Sequence, residues 1–413
     1  MVSLSTFEGG IIGNPFRIHG VVERPEFTNR DAELRRLRGT LAEPGAKLLV
    51  YGDRRMGKTS ALRVAMADHA VAGGMSCLAD FSTATSHADL ANRILGAATR
   101  TLGRTWRDVA LDLAGRMGVK LEAGLDPATG MPTASLGVGM RDSAAEEQRR
   151  TLASVLDGLE AICAQRDVSL GLVLDEFQEI HRMGGEEAEW HLRGIIQHHG
   201  HISYIVAGSR THLIRRMLEK GRAFYKLFDV LPFGPLDQDH LTSWLEERMR
   251  AAGVRADGVG QPSIRLAGPR TRDVVQLARK TFELGSQRTP PHADAEVVGQ
   301  AFVEVVQEES EPLQALWKGY SAAQQNVLRA VAAGTDALTA TAALKRFGLR
   351  SSAAASQAAA ALVDQGALEQ VAPGHYRFDS PFQRGWVVLH ALPDLGLHLP
   401  ATHVGWPEEL PDS

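Results

Sequence analysis

The sequence predicts an α/β protein: a parallel-sheet core, an α-helical lid behind it, and a C-terminal winged helix. Three observations predict this. A glycine-containing loop, Gly52-Asp53-Arg54-Arg55-Met56-Gly57-Lys58-Thr59, stands between a strand-like run (Lys47 to Tyr51) and a helix-like run (Ser60 to Ala72). The continuous apolar runs Leu170 to Leu174 and Ile202 to Ala207 suit strands buried on both faces of a parallel sheet. Residues 311–390 carry three helical patterns followed by two strand patterns, in winged-helix order.

The loop fits G-x-x-x-x-G-K-[ST] at every fixed position, in the strand–loop–helix setting in which that motif binds a nucleoside triphosphate. Glycines let backbone N–H groups close on phosphates, and the helix N-terminus adds a positive dipole end. Lys58 is expected to reach the β and γ phosphates, and the Thr59 hydroxyl to ligate Mg²⁺. Ser60 completes the set of loop residues, Gly52 to Ser60, expected to contact ATP.

Before the loop, Leu34, Leu37 and Leu41 recur at helical spacing. After it, Met75 to Phe81 reads as a strand and Asp89 to Leu102 as a helix. Val119 to Ala123 and Ala134 to Val138 flank Asp126-Pro127-Ala128-Thr129-Gly130, which predicts a β-hairpin with a longer loop. Ala144 to Gln165 is the next helix. The strand after it ends in Asp175 and Glu176, where open α/β sheets bind ligands. Asp175 is expected to hold Mg²⁺ through water, and Glu176 to polarise the attacking water as general base. Glu186 to His198 is helical, and Ile202 to Ala207 is a strand closed by Gly208-Ser209-Arg210. Ser209 is a candidate contact for the γ-phosphate or the attacking water.

Residues 236–285 read as several helices. One opens at Gly268-Pro269-Arg270-Thr271-Arg272, and an arginine there could report nucleotide state. Arg272 is preferred over Arg270, because its spacing to Val274, Val275 and Leu277 puts it at the helix start. Arg215, Arg216, Arg222 and Lys226 are candidates for a finger acting on a neighbouring subunit. His198, His199 and His201 lack the spacing of a metal site and read as a polar loop.

In the C-terminal module, Ser321 to Ala333, Thr339 to Phe347 and Ser351 to Gln365 read as helices, and Ala367 to Val371 with His375 to Phe378 as the wing. The third helix is alanine-rich and offers Ser352, Ser356, Gln357 and Gln365, with Arg350 just before it. Double-stranded DNA is therefore one candidate partner and another protein is the alternative, because phosphate contacts need Lys or Arg. The expected boundaries are 1–235 for the core with its N-terminal segment, 236–310 for the lid, 311–392 for the winged helix and 393–413 for an extended or disordered tail.

Bulk properties set limits. At 413 residues one to three domains are expected, and 44% apolar residues supply real cores. A net charge of −4 gives no global basic field for nucleic acid. The two cysteines, Cys77 and Cys163, lie in apolar surroundings and form no disulfide framework. No signal pattern or membrane-length apolar run is present, so no membrane contact and a cytoplasmic location are expected.

The ordered set of motifs resembles the archaeal-type AAA+/STAND ATPases, prokaryotic relatives of the origin-recognition initiator ATPases. The resemblance covers roughly residues 14–390. It is carried by Asn14-Pro15-Phe16, Phe27-x-x-Arg30-x-x-Glu33-Leu34, the loop through Ser60, Leu174-Asp175-Glu176-Phe177-Gln178, Ile196-Gln197-His198-His199, Ala207-Gly208-Ser209-Arg210, Phe224-Tyr225, and Asp379-x-Pro381-Phe382 with Trp386. It implies an AAA+-like P-loop ATPase core, a helical lid and a winged helix. It further implies that Phe27 and Arg30 lie near the adenine and that Ser209 is the first sensor. Lys226 stands where an arginine often follows the Phe-Tyr pair, a departure that bears on any trans-acting finger. The activity implied is an ATP- and Mg²⁺-dependent switch acting on DNA; the alternative is a STAND-type signalling or defence ATPase gating a partner effector. Homo-oligomers are within its scope.

Overall fold

The structure, a computed structural model, describes residues 13–18, 20, 22, 24, 26–102, 121–125, 132–136, 145–209, 211–335 and 337–403. They fall into two compact units, one over residues 20–234 and the other joining residues 1–19 to 235–413.

The first unit holds α1 (Asp31–Ala42), β1 (Lys47–Tyr51), α2 (Lys58–Val71), β2 (Ser76–Asp80), α3 (His87–Leu102), β3 (Leu121–Leu125), β4 (Pro132–Leu136), α4 (Ala145–Arg166), β5 (Leu170–Asp175), α5 (Glu179–Ile196), β6 (Ile202–Gly208), α6 (Thr211–Met217) and β7 (Asp229–Pro232). Five strands form a sheet in the order β2-β5-β6-β1-β7, every pairing parallel. β6 lies between the loop strand β1 and the carboxylate strand β5. Their C-terminal ends align, with Tyr51 opposite Gly208 and Leu174 opposite Val206. The sheet's period of two divides the core between its faces. Leu48, Val50, Val173 and Ile205 pack with Leu34, Leu37 and Leu62 from α1 and α2. Leu49, Leu172, Leu174 and Tyr204 pack on the other face with Leu90, Leu156 and Leu192 from α3, α4 and α5. Both faces are covered by helices, which is why β5 and β6 read as unbroken apolar runs.

Three local features differ from the sequence reading. The edge strand β7 carries no apolar run, because three of its four residues are exposed. α5 starts earlier than Glu186 and is broken by Gly184 and Gly185, whose dihedrals are non-helical. The hairpin strands are Leu121–Leu125 and Pro132–Leu136, paired antiparallel, and residues 126–131 lie outside the described residues.

The second unit holds α7 (Gln238–Ala251), β8 (Arg255–Ala256), α8 (Gly260–Ala267), α9 (Thr271–Ser286), β9 (His292–Ala293), α10 (Ala295–Glu308), α11 (Ser310–Gly319), α12 (Ala322–Ala332), α13 (Thr341–Arg346), α14 (Ser352–Asp364), β10 (Leu368–Ala372), β11 (His375–Phe378) and α15 (Pro381–His390). Ser321 caps α12 with a capping box completed by Gln324, and Ser351 caps α14. The sequence reading divides this region at residue 310, yet one apolar cluster runs from Phe16 to Ala401. The reason is α15. Phe382 packs on Phe302 of α10 with centroids 5.6 Å apart, and Trp386 Nε1 donates to Ser310 Oγ at 3.0 Å.

The stretch around Phe16, placed with the core by the sequence reading, groups instead with this second unit, while the residues from Gly20 on stay with the first. Phe16 is fully buried in its apolar cluster, edge-on to Trp244. Asn14 Nδ2 donates to the Arg279 carbonyl at 3.0 Å. Part of the expected tail is also ordered: Pro393–Leu395 is a 3₁₀ turn, and Leu397 and Leu399 pack on the core. Residues 404–413 lie outside the described residues. Among the described residues no helix is long and apolar enough to cross a membrane.

Candidate functional site

The C-terminal ends of β1, β5 and β6 gather the predicted residues of the first unit. β1 delivers the loop, and α2 begins at Lys58 with Gly57 as its N-cap. Gly52 has no room for a side chain, since a Cβ there would fall 2.0 Å from the Phe233 carbonyl oxygen. Arg55, a non-glycine residue, takes the left-handed conformation with φ 66°, which turns the loop over the helix start.

Lys58 is buried, and its Nζ donates to the carbonyls of Gly52 and Asp53, both at 2.7 Å. Burial pushes its pKa down to about 8, against the opposing pull of Glu176, Asp175 and Asp53. The Thr59 hydroxyl donates to Asp175 Oδ2 at 2.6 Å. Burial holds the Asp175 carboxyl above its ordinary range, partly offset by that bond and by the Glu176 N–H. Hydroxyl and carboxylate are thus adjacent oxygen donors, the set a Mg²⁺ ion takes.

Glu176 follows β5 with φ 54°, a left-handed conformation unusual for glutamate. The Ser209 hydroxyl, at the end of β6, donates to Glu176 Oε2 at 2.8 Å. Arg54 Nε donates to Ser209 Oγ at 3.4 Å, which ties the loop to the same pair. Sequence reasoning assigned no role to Gln178, yet it is fully buried and its amide donates to Glu176 Oε2.

Other predicted contacts take supporting positions. Arg30 is 5% exposed and donates to the carbonyls of Gly234 at 2.6 Å and Met56 at 3.4 Å. Its guanidinium lies 4.2 Å from the Phe233 ring centre and pairs with Glu33. Arg30 therefore braces the loop from behind, through Met56. Phe27 packs against the apolar cluster that contains Met56. The Ser60 hydroxyl accepts the Val22 N–H at 3.1 Å.

Arg222 pairs with Glu186 and with the fully buried Glu189, so it is occupied within its own chain. Arg215, Arg216 and Lys226 are exposed, and the Arg215 guanidinium lies 5.8 Å from the Tyr51 ring centre. The histidine loop is held by carboxylates of α4: His199 bonds Asp157 at 3.0 Å and His201 bonds Glu160 at 2.9 Å. Among the described residues no group of three or more His, Cys, Asp or Glu is placed to hold a metal ion. Burial pushes both the Cys77 and Cys163 thiols up to about 12, leaving them unreactive.

In the second unit the two arginines at the start of α9 separate. Arg270 is buried, with Nη2 at 3.1 Å from Glu369 and 2.8 Å from Asp379. Arg377 bonds the same Glu369 oxygen at 2.6 Å. Arg270 thus fastens α9 to the β10–β11 hairpin, and Arg272 is the exposed member of the pair.

No family model and no curated protein sequence matches the chain. Solved structures are. The Walker-type ATPase of Pyrococcus abyssi superposes with a TM-score of 0.57 at 15% identity, over 90% of this chain and 99% of that one. The ORC2 protein of Aeropyrum pernix, in its ADPNP–ADP complexes, gives 0.50 at 14% identity over 93% and 94%. The likeness is one of fold: this chain shares the α/β architecture of that Walker-type ATPase and that ORC2 protein.

Proposed function

We propose that the protein is an ATP-binding and ATP-hydrolysing switch of the AAA+ kind, coupled to duplex DNA through its C-terminal module. The observation that carries the hydrolytic reading is the convergence of Lys58, Thr59, Asp175, Glu176 and Ser209 at the aligned ends of three parallel strands. Lys58 would leave its two loop carbonyls for the β and γ phosphates. Thr59 and Asp175 would hold Mg²⁺, which when bound supplies charge neutralisation between the phosphates. Glu176 would orient the attacking water and take its proton, and Ser209 would donate to the γ-phosphate. The exposed Arg272 is the residue we assign to reporting the nucleotide's charge.

The DNA side rests on α12, α13, α14 and the β10–β11 hairpin, which we read as a winged helix. Lys345, Arg346 and Arg350 are exposed around the turn that leads into α14, where phosphate contacts are expected. A specific observation supports a second reading. α14 itself, Ser352–Asp364, contains no lysine or arginine, which suits an interface with a partner protein of the STAND kind.

The test is ATP turnover with and without duplex DNA at low salt, in wild type and in Arg346→Ala/Arg350→Ala. DNA should raise wild-type turnover, and the double substitution should remove the stimulation while sparing basal turnover. Turnover indifferent to DNA, with no complex at low salt, would move the reading to a partner protein.

A further inference from the structure

Gln178 lies two residues beyond Glu176, in the turn that leads into α5, and is fully buried beneath the proposed site. Its side-chain polar atoms are both directed at Glu176 and Ser209. The amide nitrogen donates to Glu176 Oε2 and lies 3.5 Å from Ser209 Oγ. The amide oxygen accepts the Ser209 backbone N–H at 3.3 Å. Ser209 Oγ in turn donates to the same Glu176 oxygen at 2.8 Å. The three residues close a ring of hydrogen bonds across two adjacent strands.

The surroundings are shaped for this side chain. A Cβ on Gly208 would fall 2.9 Å from Gln178 Oε1, so the glycine before Ser209 leaves the space in which the amide sits. Phe177, between Glu176 and Gln178, packs on Phe224 with centroids 5.2 Å apart, and its N–H donates to the Ala207 carbonyl at 2.8 Å. The backbone that carries Gln178 is therefore fixed to β6 at the residue before Gly208. A buried amide of this kind is retained only if its donor and acceptor are both met, and here both are met by the two groups assigned to catalysis.

We infer that Gln178 is a positioning residue for ATP hydrolysis. It holds the Glu176 carboxylate against β6 and fixes the base relative to Ser209. The inference rests on the reading of Glu176 as general base. Gln178 needs no contact with nucleotide. Its loss should act on the chemical step and not on binding, because a misplaced base lowers the rate while phosphates and Mg²⁺ still find their own ligands.

The test uses the full chain with four forms: wild type, Gln178→Leu, Glu176→Gln and the double variant. Leucine keeps the buried volume and removes the amide; Gln178→Glu, of the same shape, is the second variant should leucine misfold. Gln178→Leu should lower kcat on the order of 10- to 100-fold, with KM and ATP affinity changed less than about threefold. Added to Glu176→Gln, it should cause no further loss, since it acts through that carboxylate. Folding is followed by Tm, and Gln178→Glu should also lose kcat, because it sets a second carboxylate against the first. Wild-type kcat in Gln178→Leu, or equal losses in both Glu176 backgrounds, would overturn the inference while leaving the Glu176 reading intact. Turnover unchanged in Glu176→Gln would overturn both.

Discussion

The Lys58 ammonium sits under two loop carbonyls, and its burial gives the proposed nucleotide binding a pH signature. Its pKa falls from an ordinary 10.5 to about 8 in the folded protein. Below 8 the buried charge is present and costs stability. As pH rises from about 8 toward 10.5 the folded protein sheds a proton that the unfolded chain keeps, so this cost is relieved. Binding runs the other way, because phosphates need the ammonium. ATP affinity should weaken about tenfold between pH 7 and pH 9, measured by titration at constant Mg²⁺ and ionic strength. A flat profile would show that Lys58 titrates elsewhere. The residues of this site were legible where chemistry fixes spacing: Lys58, Thr59, Asp175 and Glu176 follow from two motifs. Gln178 was not, because a glutamine after a strand end has no periodic signal and acquires its role only when β6 brings Ser209 beside it. Arg30 was expected near the adenine, and its bracing of the loop was not legible, since its carbonyl partners lie far along the chain.

At the scale of elements, the start of α9 separates two tasks that the sequence offered to two arginines. Arg270 is buried between Glu369 and Asp379, and one of its nitrogens, Nε, is buried without a hydrogen-bond partner. Removing it takes the cation from Asp379 and leaves Glu369 paired with Arg377, so Arg270→Ala should destabilise the second unit by roughly 1–3 kcal/mol, read as a fall in Tm. Arg272 is exposed, so Arg272→Ala should leave Tm within about 1 °C and weaken the response to ATP. A Tm fall of the same size in both variants would contradict this division. The helices and strands of the hairpin module were predicted to within a residue or two, because Ser321 and Ser351 are caps and Gly366 ends α14. β7 escaped because an exposed edge strand of four residues carries no alternation.

Across the whole molecule, sequence order and spatial grouping part company at both ends of the core. The stretch around Phe16 precedes the α/β core in sequence and packs with α7 and α9 after it. The helices before residue 310 and the hairpin module after it, divided in the sequence reading, share one apolar cluster because α15 returns to α10. Such groupings depend on contacts far apart in the sequence, such as Asn14 with Arg279 and Trp386 with Ser310, and no local pattern encodes them. We propose that the aligned strand ends hydrolyse ATP with Glu176 as the base. The most direct measurement is Mg²⁺-dependent ATP hydrolysis by wild type and Glu176→Gln, beside ATP affinity for each. Wild type should turn over, and the variant should bind ATP within about threefold while losing roughly 100-fold or more in turnover. Equal turnover in the two proteins would contradict the claim.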